Sequence, residues 1–176
     1  MWSAETAALF GLPYNFAHFI DPSKTREAIG NYRESFRPAG FGEYPHAMVA
    51  AGVICAESEA EAERLASSAR LLFRRIRSGN TAPVAAPDDA IAELATIPDS
   101  VFWQWYPEGA TLPRYVVGTP ESVRRRLSEM AEDLGLDEIM VVTIVHDHAA
   151  RVRSYELLAE AFDLRGAPAM TAEQSV

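Results

Sequence analysis

Two histidines and an aspartate come together in one stretch, TIVHDHAARVRSY, from Thr143 to Tyr155. His146 and His148 follow an apolar run and flank Asp147, so in a strand they would share a face and could reach one metal ion. A protein metal site takes three or four ligands. The further histidines are His18 and His46. His18 reads as a strand tip and could lie nearby, whereas His46 reads as a strand start, at the opposite end of a parallel sheet. Asp147 has the position of a helix N-cap, which throws His148 onto the first helical turn. The stretch is therefore read as the joint between a strand and a helix, with no metal expected. No Gly-x-Gly-x-x-Gly, P-loop or Gly-x-Ser-x-Gly pattern occurs. Cys55 lies in the apolar run VAAGVICA and reads as a small buried filler.

The elements that would position these residues come from a chain of 176 residues, 48% hydrophobic, enough for one domain with a real core. The net charge of −9 and the lack of a basic stripe argue against nucleic acid and anionic membranes as partners. Arg124, Arg125 and Arg126 form a short cluster read as a solvated helix face. One cysteine excludes an intrachain disulfide. No run of about 18 apolar residues suggests a membrane span, and the first residues lack a secretory pattern. A cytoplasmic setting is expected.

Along the chain, SAETAALFG reads as a short helix with Ser3 as N-cap and Gly11 as stop. LPYNFAHF reads as a buried strand. A helix follows from Asp21 as cap and Pro22 to Pro38, with Ile29, Tyr32 and Phe36 on one face. YPHAMVAAGVICA is a second strand. The next helix opens on the capping-box pair Ser58 and Glu61, carries Leu65, Ala69, Leu72, Phe73 and Ile76 as its stripe, and ends at Gly79. Residues 80–113 hold five prolines and the aromatic cluster VFWQWY, and read as an irregular insertion with one short helix near Ile91. The aromatic cluster suggests an interface. Thr119 and Pro120 open another helix that Gly135 stops. DEIMVVTIV is a continuous apolar run, expected to be a strand buried on both faces of a parallel sheet. The last helix should turn Val152, Tyr155, Leu158 and Phe162 inward. Residues 1–165 thus read as one domain, and 166–176 as a disordered tail.

Strands alternating with helices predict an α/β fold with a parallel sheet. Such folds place their sites at the C-terminal strand ends. Those ends carry His18 and Phe19, then Cys55 and Glu57, then Thr143 to Asp147. Phe19 reads as core, and Thr143 as satisfying a backbone group. His18 is the hardest to dismiss, because a buried strand-tip histidine needs a polar partner or a ligand.

Three stretches, SAETAALFGLPYNFAHF, YVVGTPESVRRRLSEMAEDLGLDEIMVVT and HDHAARVRSYELLAEAF, resemble the C-terminal half of bacterial luciferase-like flavin-dependent monooxygenases. The resemblance covers nearly the whole chain in order. It implies a partial TIM (β/α)₈ barrel made of the last three strands with their helices. It also implies FMN as cofactor, with reduced flavin and oxygen oxidising a small molecule. By the resemblance, Ser3 matches a phosphate-contacting position at a helix start. His18 matches a strand-tip position against the flavin ring, and Thr143 and His146 lie on the flavin-facing rim. The family's Gly-Ser-Ser phosphate loop and first five strands have no counterpart in this sequence. The expected chain is therefore a truncated member, poorly active alone, with sheet edges open to an oligomer or partner. The alternative from the sequence is a non-catalytic flavin-binding or oligomerisation protein of the same origin.

Overall fold

The computed structural model describes residues 2–39, 41–96 and 110–164. Its centre is the strand β2, Ala47–Cys55 (AMVAAGVIC), in which every residue except Met48 is buried. Small and β-branched residues suit a strand with neighbours on both edges. Met48 and Val49 pair with both β1, Tyr14–Phe16, and β4, Glu138–Val142, while Gly52 pairs with both β4 and β3, Tyr115–Gly118. A strand residue has one partner per edge. So β4 fills one edge of β2, and β1 and β3 share the other, β1 low and β3 high. All pairings are parallel. Among the described residues the sheet is open and does not close into a barrel.

Crossover handedness then sets the layers. Passing from β1 to β2 to β4 moves in one direction across the sheet. Passing from β2 to β3 moves back. A right-handed crossover puts the connecting helices on opposite faces in the two cases. One face accordingly packs α1 (Trp2–Leu9), α2 (Thr25–Ser35), α5 (Pro120–Leu134) and α6 (His148–Ala161) against Val49, Val53, Val116 and Val141. The other face packs Leu65, Ala66 and Ala69 of α3 (Glu59–Arg77) against Ile54, Tyr115 and Val117. The helix α4, Pro87–Ala95, lies behind α3, with Leu71, Ala90 and Leu94 forming their contact.

Local chemistry accounts for most helix ends. Ser58 accepts a hydrogen bond from the Glu61 amide at 3.2 Å, and Asp147 from the Ala150 amide at 2.8 Å. Thr119 caps α5 ahead of Pro120, and Gly135 ends it in the left-handed conformation at φ 60°. Other ends are fastened by residues distant in the chain. The Arg33 guanidinium donates to the carbonyls of Leu134, at 2.7 Å, and of Gly135, where a cation also suits the helix dipole. At the other end of α5 the Glu59 carboxylate accepts from the Ser122 hydroxyl at 2.8 Å and the Thr119 amide at 3.3 Å. Gly118 makes room for this, since a Cβ there would fall on the Ser122 hydroxyl and lie 2.9 Å from the Glu59 carboxylate. Tyr32, fully buried, ties the two strand entries together. Its hydroxyl donates to the Leu12 carbonyl at 2.9 Å and accepts from the His46 amide at 3.0 Å.

Several expectations change. The strand read over LPYNFAHF narrows to Tyr14–Phe16 because Leu12 closes α1, its amide bonding to Ala7, and the His18 amide turns back to Phe16. Helix α1 starts at Trp2, so Ser3 lies inside its first turn rather than capping it. Asp21 makes no side-chain cap bond, and Pro22–Lys24 form a 3₁₀ turn ahead of α2. The apolar run DEIMVVTIV is not buried on both faces: Glu138 and Met140 are exposed, on the face of β4 opposite the one that Ile139 and Val141 turn toward α5 and α6. Val152 and Tyr155 are exposed, while Ser154, Leu157 and Leu158 face inward. Ile76 is exposed beyond the reach of the sheet. The four-residue strand β3 was not anticipated. In the 80–113 stretch, α4 stands where a helix near Ile91 is expected, and the cluster VFWQWY lies outside the described residues.

The Glu59 contacts give a first prediction. Bonds from Ser122 and Thr119 hold its carboxyl below the ordinary carboxylate value. The contribution is therefore complete above the unfolded value and is lost as pH falls through the lower folded one. Glu59→Gln should lower stability at pH 7 by no more than about 1 kcal/mol, as befits an exposed group, and the difference should vanish under acid. Gly118→Ala should cost more, about 1–3 kcal/mol, by forcing the cap apart. Thermal denaturation of both variants at neutral and acidic pH checks this.

Candidate functional site

The strands are parallel but end at different levels: β1 ends beside Val49 and β4 beside Gly52, while β2 and β3 run on to Cys55 and Gly118, so His18 lies where β1 gives way to the start of β3, and Thr143 and Cys55 lie at the C-terminal ends of β4 and β2. His18 is fully buried. Its Nε2 lies 2.8 Å from the Pro113 carbonyl and its Nδ1 2.7 Å from the Thr25 hydroxyl. A carbonyl can only accept, so Nε2 carries the proton and Nδ1 accepts from Thr25. Burial above all lowers the His18 pKa, the Pro113 bond opposes this, and the Arg114 charge adds to the lowering. The imidazole is a neutral clasp joining the tip of β1, the start of α2 and the entry to β3. Arg114 reinforces it by donating to the carbonyls of Phe19, at 3.3 Å, and Ile20.

On the other edge of β2, Thr143 is buried and its hydroxyl donates to the Val53 carbonyl at 2.9 Å. The backbone ladder of β4 ends with Val142 against Gly52, so the Thr143 side chain carries the pairing one step further. Its amide donates to the Tyr155 hydroxyl at 3.2 Å. His146 is exposed beyond it. Asp147 caps α6, and His148 stands in the first turn with Nδ1 3.1 Å from Arg151. This is the strand-to-helix joint read from the sequence. Among the described residues, no three His, Cys, Asp or Glu side chains cluster as a metal would require.

Ser3 is exposed in the first turn of α1, its hydroxyl 3.2 Å from that of Tyr14. None of Ser3, His18, Thr143 and His146 hydrogen-bonds another. His18 and Thr143 lie on opposite edges of β2. Burial pushes the Cys55 thiol up to about 11, so it stays protonated and unreactive at neutral pH. Sequence reasoning missed Ser154, whose buried hydroxyl accepts from the Cys55 amide at 2.9 Å and docks α6 on the rim. A serine three residues before the apolar pair Leu157 and Leu158 is only a faint signal of that role. A groove of about 430 Å³ lies away from the rim, between α5, α6 and β4, lined by Leu127, Ile139, Val141, Leu158 and Phe162 among others.

Parallel strands joined by helical crossovers define the class as part of an α/β protein of repeating β/α units. No family model matches the chain. It is 33% identical over 160 residues to the luciferase-like monooxygenase of Escherichia coli (strain K12), covering 89% of this chain and 45% of that protein. The crystal structure of apo-MsnO8 matches with a TM-score of 0.83 and 43% identity, over 93% of this chain and 48% of that one. The oxygenating constituent of 3,6-diketocamphane monooxygenase from Pseudomonas putida, solved in complex with FMN, shares the fold at a TM-score of 0.53 and 21% identity, over 90% of this chain and 44% of that one. The chain belongs to the luciferase-like monooxygenase family. It spans about half the length of the relatives it matches. No helix among the described residues is long and apolar enough to cross a membrane.

The His18 clasp yields a second prediction. With its folded pKa below the unfolded value, the unfolded chain takes up the proton first on acidification. Stability is therefore full above the unfolded pKa, about 6.5, and falls as pH drops toward the folded value. His18→Leu should cost about 3 kcal/mol at pH 7.5 by stranding Thr25 and Pro113, and should lose that acid dependence. Urea denaturation of both proteins at pH 7.5 and 5.5 reads the difference.

Proposed function

We propose that this chain is the C-terminal part of a flavin-dependent monooxygenase barrel, residues 1–165 forming one unit, and that FMN is the cofactor. The reading is carried by the homology to a luciferase-like monooxygenase across nearly the whole chain, together with a rim at the strand C-termini. When bound, reduced flavin would supply the electrons with which oxygen oxidises a small organic substrate.

The chemistry of the rim suits different parts of the cofactor unequally. A phosphate wants hydroxyls and free amides. The first turn of α1 offers both, in Ser3 and the unsatisfied amides of a helix start, although Glu5 in the same turn opposes an anion. His18 and Thr143 have their polar groups engaged within the fold, so they serve a flavin ring as wall and as rigid support. His146, exposed on the same rim, is an imidazole available to ligand or solvent. Among the described residues, one hydroxyl, a few amides and one histidine are thin for a cofactor of this size. Weak binding and little activity by the chain alone follow. A cytoplasmic setting accords with the single cysteine being a buried free thiol. Proteins named monooxygenases among the matches favour a catalytic origin over the non-catalytic alternative.

Titration of FMN, followed by quenching of its fluorescence, tests this. Saturable binding with Kd of about 10 μM or weaker is expected, and Ser3→Ala should weaken it about 2- to 5-fold, the effect of one helix-terminal anion contact. A tight stoichiometric complex with turnover would overturn the claim of insufficiency. Absence of saturation even at millimolar FMN would overturn the flavin reading.

A further inference from the structure

Helix α4 lies on the side of α3 away from the sheet, and the two form a fixed unit. Leu71, Ala90 and Leu94 bury the face between them. Arg64 donates to Asp88 at 3.1 Å, the Ser67 hydroxyl to the Pro87 carbonyl at 3.1 Å, and Arg75 to Glu93 at 3.2 Å. The first two contacts hold the start of α4 and the third its far part, so the helices run side by side in the same direction. Between their outward faces lies a groove of about 580 Å³. Ala60 and Ser67 of α3 and Leu94 and Ala95 of α4 line it, with Arg64 and Arg70 alongside. Ile91 stands on the same wall and is 46% exposed. Ile91 and Ala95 are four residues apart, so α4 presents an apolar ridge beside the groove.

Charge is sorted on the same unit. From Arg64 to Arg77, α3 carries five arginines and no acid, whereas α4 carries Asp88, Asp89 and Glu93 and no base. In a chain of net charge −9, two copies repel unless opposite charges meet where they touch. This surface offers both signs, together with a ridge and a groove. It is self-complementary, which is what a two-fold contact requires.

We infer that a second copy of this chain docks here, with the two α4 helices antiparallel about a two-fold axis near Ile91. Each Ile91 enters the other copy's groove, where the small side chains Ala60, Ser67 and Ala95 let the helices approach closely. Antiparallel packing also carries Asp88 and Asp89, at the start of one α4, toward the far end of the other, where Arg70 lines the groove with Leu94 and Ala95. A guanidinium has five donors, so Arg70 can take a carboxylate of the second copy beside its own Glu63. Two short helices per copy offer less than the about 800 Å² per partner of a standard interface, so the dimer is weak and reversible. The contact lies on the side of α3 turned away from the sheet, so pairing and flavin binding succeed or fail separately.

Sedimentation equilibrium of the chain from ~1 μM to ~1 mM, read beside hydrogen exchange at both ends of that range, tests this. A monomer–dimer equilibrium with Kd of about 10–100 μM is expected. Exchange at the amides of residues 91–95 should slow at least ~3-fold at the concentrated end. Ile91→Glu alters a half-exposed side chain, should leave the circular dichroism unchanged, and should raise the Kd ~10-fold or more. Asp89→Arg, on an exposed residue, should raise it at least ~3-fold. A chain that stays monomeric at ~1 mM overturns the inference. So does a dimer that either variant leaves unchanged, or one that protects residues 139–142 in place of 91–95. Protection of 91–95 that does not depend on concentration overturns it as well, and its loss on changing Trp103 and Trp105 to alanine would give the groove to the chain's own residues 97–109.

Discussion

The structure depends on β2 having both edges filled. Nine residues carry three neighbours, with β4 along one side and β1 and β3 sharing the other. That arrangement forces the composition of β2, because a strand flanked on both edges and covered on both faces has no room for polar or bulky residues. Gly52 shows how tight it is, since an added Cβ would overlap the ring of Tyr115. It also forces the layers. A chain that moves outward from β1 to β4 but steps back once, from β2 to β3, must send α3 to the opposite face. The burial of Ile54 and Tyr115 under α3, and of Val53 and Val116 under the remaining helices, is that one reversal expressed in side chains.

What could be read from the sequence was what is decided locally. Ser58, Thr119 with Pro120, Gly135 and Asp147 act on amides within a turn of themselves, and each stands where its type and spacing put it. Whatever depends on distant partners was illegible. Arg33 reaches a helix end about 100 residues on, Glu59 one about 60 residues on, and His18 a carbonyl 95 residues away. Nothing in the flanking residues announces these contacts. The exposure of β4 was misread for the same reason. Its apolar run describes a strand covered on both faces, and Glu138 and Met140 lie exposed on the face opposite the one turned toward α5 and α6. The inward face of α6 was misjudged because Ser154 on Cys55, not the widest apolar stripe, fixes its rotation.

The rim carries the same lesson about polar groups. His18 and Thr143 are the residues whose position at strand tips suggested a site, and both spend their hydrogen bonds holding the rim together. Buried polar groups must be satisfied, and those nearest a site are often satisfied by the scaffold. A neutral histidine held at both nitrogens gives a fixed ring surface rather than an acid or a base. The fold thus builds a stiff platform with few free donors.

A stiff platform beside an open edge is a consistent pair of properties. Contacts in repeating β/α units are mostly between neighbours, so a run of them can keep its internal geometry whatever lies beyond the last strand. The match to MsnO8 at a TM-score of 0.83 across a shared half is that geometry retained. Among the described residues, four strands in an open sheet neither cover the outermost strand on its free edge nor surround a ligand. Among the described residues, the exposure of Met140, the groove beside Ile139 and Val141, and the few free polar groups at the strand ends go together with a sheet whose last strand is paired on one edge only.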